Sequence, residues 1–214
     1  MINHSGGADG ADLTWEVEGA KYGVETIAYS FHNHFTRSKN QKILMINELN
    51  EGFKHIKIAS KSIGRPVDKL SNYARDLLAR NWFQVKNSDA IFAVGSFQKP
   101  KRENENSAYS MQEVIDSNKL ITGGTDWAVQ MAIDNKKPVY FFDQEETHIW
   151  YDCLYDLKCG NSSYVFVGRK PGFTADLIPK LTENFAGIGS REINKFGIKA
   201  IKDILKFNFE NETT

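Results

Sequence analysis

A glycine-rich turn near the beginning of the sequence carries the residue types best suited to binding chemistry. It runs from Ser5 to Asp12, reads SGGADGAD, and leads directly into a helical pattern. Small residues let backbone N–H groups approach an anion closely, and the first turn of a helix leaves N–H groups unpaired and partly positive. The turn therefore predicts a cradle for a phosphate group.

Two further turns of the same type occur later in the sequence. Gly123–Thr125 precedes a helical pattern, and Gly187–Glu192 follows a short apolar segment. A single glycine-rich turn can be no more than a tight bend between a strand and a helix. Three of them at one edge of a sheet would combine backbone donors and hydroxyl groups with the guanidinium of Arg191. That set suits a phosphate or a pyrophosphate.

Strand patterns alternate with helical patterns along the chain. This alternation predicts an α/β fold, with a Rossmann-like, doubly wound and mostly parallel sheet flanked by helices. In the first helix, Leu13, Val17 and Ala20 are spaced to face the core, and Ser71 is a suitable N-cap for a later helix. The predicted strands cover 25–31, 89–97, 138–143, 164–167 and 184–188, and the predicted helices 12–22, 40–62, 71–85, 126–135 and the segment from the last turn to about 207.

The length of 214 residues suits one domain over residues 1–214. We expect a mobile polar insertion at 98–110 and an irregular insertion at 144–180. No apolar run approaches the roughly 18 residues of a membrane span, and no leader pattern is visible. These observations predict a cytoplasmic protein without membrane contact.

The charges balance, since Lys and Arg total 27 and Asp and Glu total 27. Binding to nucleic acid driven by electrostatics usually needs a basic excess, so nucleic acid is not the expected partner. His32 and His34 form an H-x-H pair without an evident third ligand, and Cys153 and Cys159 have no nearby histidine pair. We therefore expect reduced cysteines, no metal, and no cofactor other than a bound nucleotide.

The turns also resemble those of a known superfamily. Residues 6–12 look like the GGAxGAD signature, and residues 185–192 like the aGIGSRE turn, of the Rossmann-like SLOG superfamily, which groups DprA, the LOG enzymes and YpsA. Residues 79–97 and 123–139 resemble two further units of these proteins. In most relatives the GSR turn comes first and GGAxGAD follows. The reversed order here is similar to that of a circularly permuted, YpsA-like branch.

The resemblance implies binding of a nucleotide or an ADP-ribose-derived ligand by a homo-oligomer. Some relatives sense or sequester nucleotide signals in phage–bacterium conflict, so the resemblance also implies a sequestering role, such as that of a phage-encoded sponge acting in the host cytoplasm. Together with the turns, it predicts a set of ligand-binding residues. They are His4, Ser5, Gly6, Gly7, Ala8, Gly10, Ala11, Asp12, Arg80, Asn81, Gly123, Gly124, Thr125, Trp127, Gly189, Ser190, Arg191 and Glu192.

Two alternatives remain open. LOG-type phosphoribohydrolases carry PGGxGTxxE, whose glutamate assists cleavage of the N-glycosidic bond, whereas Ala128 stands at that position here. If the chain is an enzyme, it is a nucleotide N-glycosidase with Glu16 and Asp12 as the candidate catalytic carboxylates. The other alternative is DNA binding by analogy with DprA, which the basic stretch from Arg37 to Arg65 favours and the neutral net charge disfavours.

Overall fold

The computed structural model describes residues 1–98, 121–159, 162–172, 174 and 176–210. The strands are β1 (Ile2–Ser5), β2 (Glu25–Phe31), β3 (Gln41–Leu44), β4 (Ala90–Gly95), β5 (Val139–Asp143), β6 (Trp150–Cys159), β7 (Ser162–Gly168) and β8 (Asn184–Gly189). They form one sheet in the order β3-β2-β1-β8-β4-β5-β6-β7. The first six strands in that order run parallel to one another, and β6 runs antiparallel to both β5 and β7. The predicted Rossmann-like α/β fold is confirmed.

Helices cover both faces of the sheet. They are α1 (Ala11–Ala20), α2 (Ile46–Ile63), α3 (Asn72–Ala79), α4 (Asn81–Asn87), α5 (Thr125–Asp134) and α6 (Lys195–Glu210). On one face α1 and α6 pack together around Trp15 and Ile204, and on the other α2, α4 and α5 pack around Ile56 and Val129. No helix within the described ranges combines the length and the apolar composition that a membrane crossing requires.

The first and last strands of the chain are neighbours at the centre of the sheet. Strand β8 pairs with β1 through Ile2 and Asn184, and with β4 through Ala90 and Phe185. On one side of β8 the strands follow as β1, β2 and β3, and on the other side as β4, β5, β6 and β7, so the strand order changes direction at β8. Open α/β sheets bind ligands at such a switch point, beyond the carboxyl ends of the strands. The adjacency agrees with the permuted order, while permutation itself stays a prediction.

The buried face of α1 differs from the prediction. Val17 is 52% exposed and Ala20 is exposed, whereas Trp15 and Gly19 are buried. Trp15 lies against Gly187 of β8, where a β-carbon would come within 2.5 Å of the indole. Helix α1 therefore packs on β8 by placing the large ring of Trp15 over the space that Gly187 leaves.

The segment 40–62, predicted as one helix, begins with strand β3. Its residues pair with β2 from Ala28 to Phe31, and α2 begins only after Met45. Met45 has extended backbone, and its N–H donates to the Glu48 carboxylate at 2.8 Å, which fixes the helix start. Pairing along the edge of the sheet overrides the helical spacing of the isoleucines.

The segment 71–85, predicted as one helix, is divided into α3 and α4 at Arg80. The N-cap prediction is confirmed, since Ser71 Oγ accepts a hydrogen bond from the Ala74 N–H at 3.2 Å. At the junction the Phe83 N–H donates to the Arg80 carbonyl at 3.0 Å. This bond joins residues three apart, as in a 3₁₀ turn, rather than four apart as in an α-helix.

The segment 144–180, expected to be irregular apart from a strand at 164–167, contains the antiparallel pair β6–β7. Strand β7 includes the predicted strand, which is confirmed, whereas β6 was not expected. Strand β6 extends the sheet beyond β5 in the antiparallel direction. Arg169, just after β7, pairs with Asp152 at 2.8 Å and lies over the Tyr140 ring. Of the expected mobile insertion at 98–110, residues 99–110 lie outside the described residues.

Candidate functional site

A cavity of about 430 Å³ lies at the switch point of the sheet. Four segments line it: the turns after β1 and β8, the α3–α4 junction, and the beginning of α5. Three of these segments are glycine-rich turns or contain one, as the sequence predicted. The volume of the cavity falls within the range of small-molecule binding sites.

The predicted ligand-binding residues divide between the cavity and its surroundings. Those that line the cavity are Ala8, Asp12, Arg80, Asn81, Gly123, Gly124, Thr125, Gly189, Ser190, Arg191 and Glu192. Those that do not line it are His4, Ser5, Gly6, Gly7, Gly10, Ala11 and Trp127, and neither does the candidate catalytic residue Glu16.

The turns after β1 and β8 are in direct contact. A β-carbon on Gly10, whose φ is 94°, would lie 2.5 Å from the Ser190 carbonyl oxygen and 2.4 Å from that of Arg191. The Ala11 N–H donates to the Ser190 carbonyl at 3.0 Å. The two ends of the chain thus meet at one wall of the cavity.

The turn after β1 uses its backbone donors internally. The Gly7 N–H donates to Ser5 Oγ at 3.0 Å, and the Leu13 N–H donates to the Ala8 carbonyl at 3.1 Å. Backbone N–H groups of Ala8, Gly189 and Gly6 stabilise the ionised carboxylate of Asp12. The turn is therefore an anion cradle whose nearest anion is Asp12 itself.

Asp12 and Arg80 are the two charged groups buried at the cavity, with 6% and 4% of their surface exposed. Burial raises the pKa of Asp12 to about 6, although the Arg80 charge and the backbone donors oppose this rise. Burial also lowers the pKa of Arg80; the charge of Asp12 opposes this fall, and the charge of Arg191 adds to it. Among the described residues, Nε and Nη1 of Arg80 have no hydrogen-bond partner.

The turn after β8 is fixed from beneath by Gln144. Gln144 Nε2 donates to the Glu192 carbonyl at 3.0 Å, and its Oε1 accepts from the Asn194 N–H at 3.0 Å. Ser190 Oγ accepts from the Glu192 N–H at 3.1 Å. These contacts hold the backbone in place while the Arg191 side chain stays exposed at the cavity.

The beginning of α5 faces the cavity without a capping side chain. Gly124 is the N-cap residue, so the first N–H groups of α5 have no side-chain acceptor there. Arg65 supports the turn, since its Nη1 donates to the Gly123 carbonyl at 3.0 Å and its Nη2 lies 3.5 Å from Asp126 Oδ2. Burial raises the pKa of Asp126 to about 6, against the effect of Arg65. This helix start is available to an anion.

His4 and Trp127 belong to the core. His4 Nδ1 is 3.0 Å from the Tyr29 hydroxyl, which also accepts from Asn87 Nδ2 at 2.7 Å. Burial lowers the pKa of His4, which favours a neutral ring. Trp127 is 5% exposed within the core of the α5 face. The prediction that these two residues bind the ligand finds no support in their positions.

Several residues at the cavity were absent from the expected ligand-binding set. The α3–α4 segment contributes Leu77, Leu78 and Gln84, and β8 contributes Ile188. Leu77 and Leu78 belong to no motif, and apolar helix residues normally indicate core. Gln84 and Ile188 lie within the stretches 79–97 and 185–192 that carry the resemblance, so a signal for them was present in the sequence. The helical spacing that places Leu77 near Arg80 was visible, but the break between the two helices was not.

Within the described residues, no group of three or more His, Cys, Asp or Glu side chains is arranged to hold a metal ion. The only thiol whose surroundings are described, that of Cys153, is free and buried. Comparisons with known protein families, with curated proteins and with solved structures give no match to this chain.

Proposed function

We propose that this chain binds a nucleotide or an ADP-ribose-derived ligand in the cavity. The observation that carries the proposal is the buried guanidinium of Arg80, whose Nε and Nη1 lack hydrogen-bond partners among the described residues. A buried cation without full hydrogen bonding is costly, and an anionic ligand would supply the missing acceptors.

A phosphate is the anion that the surroundings favour. The uncapped start of α5 offers backbone N–H groups, and Arg80 and Arg191 offer charged donors on the same cavity. Helix N-termini and arginine forks are the two common means of holding phosphate. We therefore assign the phosphate to Gly123–Thr125 and the two arginines, with the turn after β1 contributing Asp12 to the wall.

We further propose that the ligand is held rather than cleaved, so that the protein senses or sequesters it. Ala128 lines the cavity at the position where LOG-type enzymes carry their glutamate. A sponge that removes a nucleotide signal, as in phage counter-defence, needs affinity and no turnover. Self-association is part of this proposal, and light scattering on the full chain measures it.

The test is equilibrium binding by calorimetry with AMP, ADP-ribose and cyclic nucleotides. The exposed Arg191→Ala change should weaken binding at least tenfold because it removes a charged donor without disturbing the core. Arg75→Ala is the matched control, since Arg75 pairs with Asp76 and does not line the cavity. Absence of binding by every one of these compounds would refute the proposal.

A nucleotide N-glycosidase is the second candidate, and the raised pKa of Asp12 favours it. A carboxyl group with a pKa of about 6 at a cavity wall can exchange a proton near neutral pH. Incubation with AMP and with NAD, followed by chromatography, would reveal released base. If the wild-type protein releases base and the Asp12→Asn variant does not, the protein is an enzyme that uses Asp12, and the sequestration proposal is wrong.

A further inference from the structure

An aromatic cluster lies beside the cationic end of the cavity and has no role in the phosphate site. It consists of Phe31 at the end of β2, His34 in the following loop, and Tyr73 in α3. The Phe31 ring stacks on the imidazole at a centroid distance of 4.9 Å and meets the Tyr73 ring edge to face at 5.5 Å. Phe31 is 4% exposed, whereas Tyr73 is 46% exposed. The cluster is thus anchored in the protein with one ring open to solvent.

Helix α3 connects this cluster to the cavity. Tyr73 and Leu77 are four residues apart and so lie on the same face of the helix, about 6 Å apart along its axis. Leu77 lines the cavity, and its neighbour Leu78 is the side chain nearest to Gly124, 3.9 Å from the position of a β-carbon there. One helical turn therefore separates the exposed ring from the wall next to the phosphate site.

The charges of the cavity reach the cluster. The pKa of His34 falls to about 4, because of burial and because Arg80 and Arg191 act on the ring. The imidazole is therefore neutral at physiological pH, and Ser30 Oγ, 3.0 Å from its Nδ1, fixes its orientation. The cluster presents uncharged ring surface close enough to Arg80 and Arg191 for their charges to act on His34.

We propose that Tyr73, supported by Phe31 and His34, is the stacking subsite for the aromatic base of the ligand. This inference rests on the proposed function and narrows its ligand to a nucleotide whose base lies one helical turn from its phosphate. Neutral ring surface next to a cationic pocket suits a molecule with an anionic end and a flat aromatic end. Stacking on an aromatic side chain is a common source of affinity for bases.

The test compares AMP with ribose 5-phosphate on the full chain by calorimetry. Wild-type protein should bind AMP more tightly than ribose 5-phosphate. Tyr73→Ala should reduce the affinity for AMP by roughly 5- to 100-fold and leave the affinity for ribose 5-phosphate within about twofold, because only the base contact is lost. Tyr73→Phe should keep the AMP affinity, and Asn72→Ala, exposed on the same helix, is the matched control.

Any other result contradicts either the stacking subsite alone or the stacking subsite together with the phosphate site. If both compounds bind wild-type protein equally, or if Tyr73→Ala weakens both alike, the subsite is wrong while the phosphate site stands. If neither compound binds wild-type protein, the subsite fails, and the phosphate site fails with it unless ADP-ribose or a cyclic nucleotide binds. Circular dichroism checks the fold of each variant, and Tyr73→Gln replaces the alanine variant if that one is unfolded.

Discussion

The carboxylate of Asp12 and the guanidinium of Arg80 crowd the same point beside Gly6. A β-carbon on that glycine would lie 2.5 Å from Asp12 Oδ2 and 1.6 Å from Arg80 Nη1. The absence of a side chain at Gly6 is therefore what allows the two opposite charges to approach each other. The two side chains bring the turn after β1 and the α3–α4 junction together at the cavity.

Gly6→Ala should destabilise the fold and displace the buried pair. The added methyl group would overlap the guanidinium, and we expect a loss of about 1–3 kcal/mol in the free energy of unfolding. Urea denaturation measures it. Gly19→Ala is the control, because a β-carbon on Gly19, near the end of α1, would meet only the Val24 side chain, at 3.3 Å or more. Equal stability of Gly6→Ala and wild type would mean that the pair has room to move.

Asp12 should make the fold less stable as the pH rises from about 4 to about 6. Its pKa is raised from 3.8 to about 6 in the folded state, so the folded protein binds more protons than the unfolded chain in that window. The full loss corresponds to roughly 3 kcal/mol at about 1.4 kcal/mol per pKa unit. Urea titrations of wild type and Asp12→Asn at pH 4 to 7 measure the difference.

Asp126 titrates in the same window, because burial raises its pKa to about 6 as well. Asp126→Asn therefore serves as the comparison, and each variant should remove its own part of the slope between pH 4 and pH 6. A wild-type curve parallel to that of Asp12→Asn would contradict the raised pKa of Asp12.

Anion affinity should rise as the pH falls below about 6. Protonation of Asp12 removes a negative charge from the cavity wall next to Arg80, so a bound anion is repelled less. Sulfate is a suitable probe because its charge is constant between pH 5 and pH 8. Calorimetry should show stronger sulfate binding at pH 5 than at pH 7.5. Asp12→Asn should show a smaller difference between the two pH values, the remainder coming from Asp126. If sulfate affinity depends on pH equally in Asp12→Asn and wild type, the charge of Asp12 does not act on the bound anion.

Arg65→Ala should loosen the start of α5. Arg65 donates to the Gly123 carbonyl and pairs with Asp126, so its loss removes charge-assisted bonds of about 1–3 kcal/mol. Hydrogen exchange of the amides at 121–126 should accelerate, and phosphate affinity should fall. Lys61→Ala, exposed in the last turn of α2, is the control and should alter neither. Unchanged exchange would mean that the turn is held by its glycines alone.

The fold was predictable because its central strands are continuous apolar runs bounded by turns. Strands β5 and β8 are mostly buried, and their apolar runs identify them without long-range information. Strand β3 was not predictable, because only its pairing with β2 overrides the helical spacing around Ile43 and Ile46. The β6 strand was hidden for the same reason, since its alternation is weak and its partner β5 supplies the order.

The turns of the candidate site were predictable from the sequence, whereas the hydrogen bonds and charge interactions within it were not. Glycine-rich turns identify where backbone can approach a ligand, and most residues of the turns after β8 and before α5 do line the cavity. That the donors around Gly6 and Ala8 satisfy Asp12 depends on side-chain packing. The cluster of Phe31, His34 and Tyr73 depends on the end of β2 and the following loop meeting helix α3, which no local pattern reveals.

The central position of β8 also orders the assembly of the protein in time. Strands β3-β2-β1 and β4-β5-β6-β7 have no direct pairing with each other, since β8 alone lies between them. A ribosome delivers residues 184–189 after the other seven strands that the structure describes, so the two halves of the sheet must wait for that strand before they join. The glycine-rich turn translated first therefore gains its opposite wall last, and a nascent chain that stalls before β8 exposes two unpaired strand edges, those of β1 and β4.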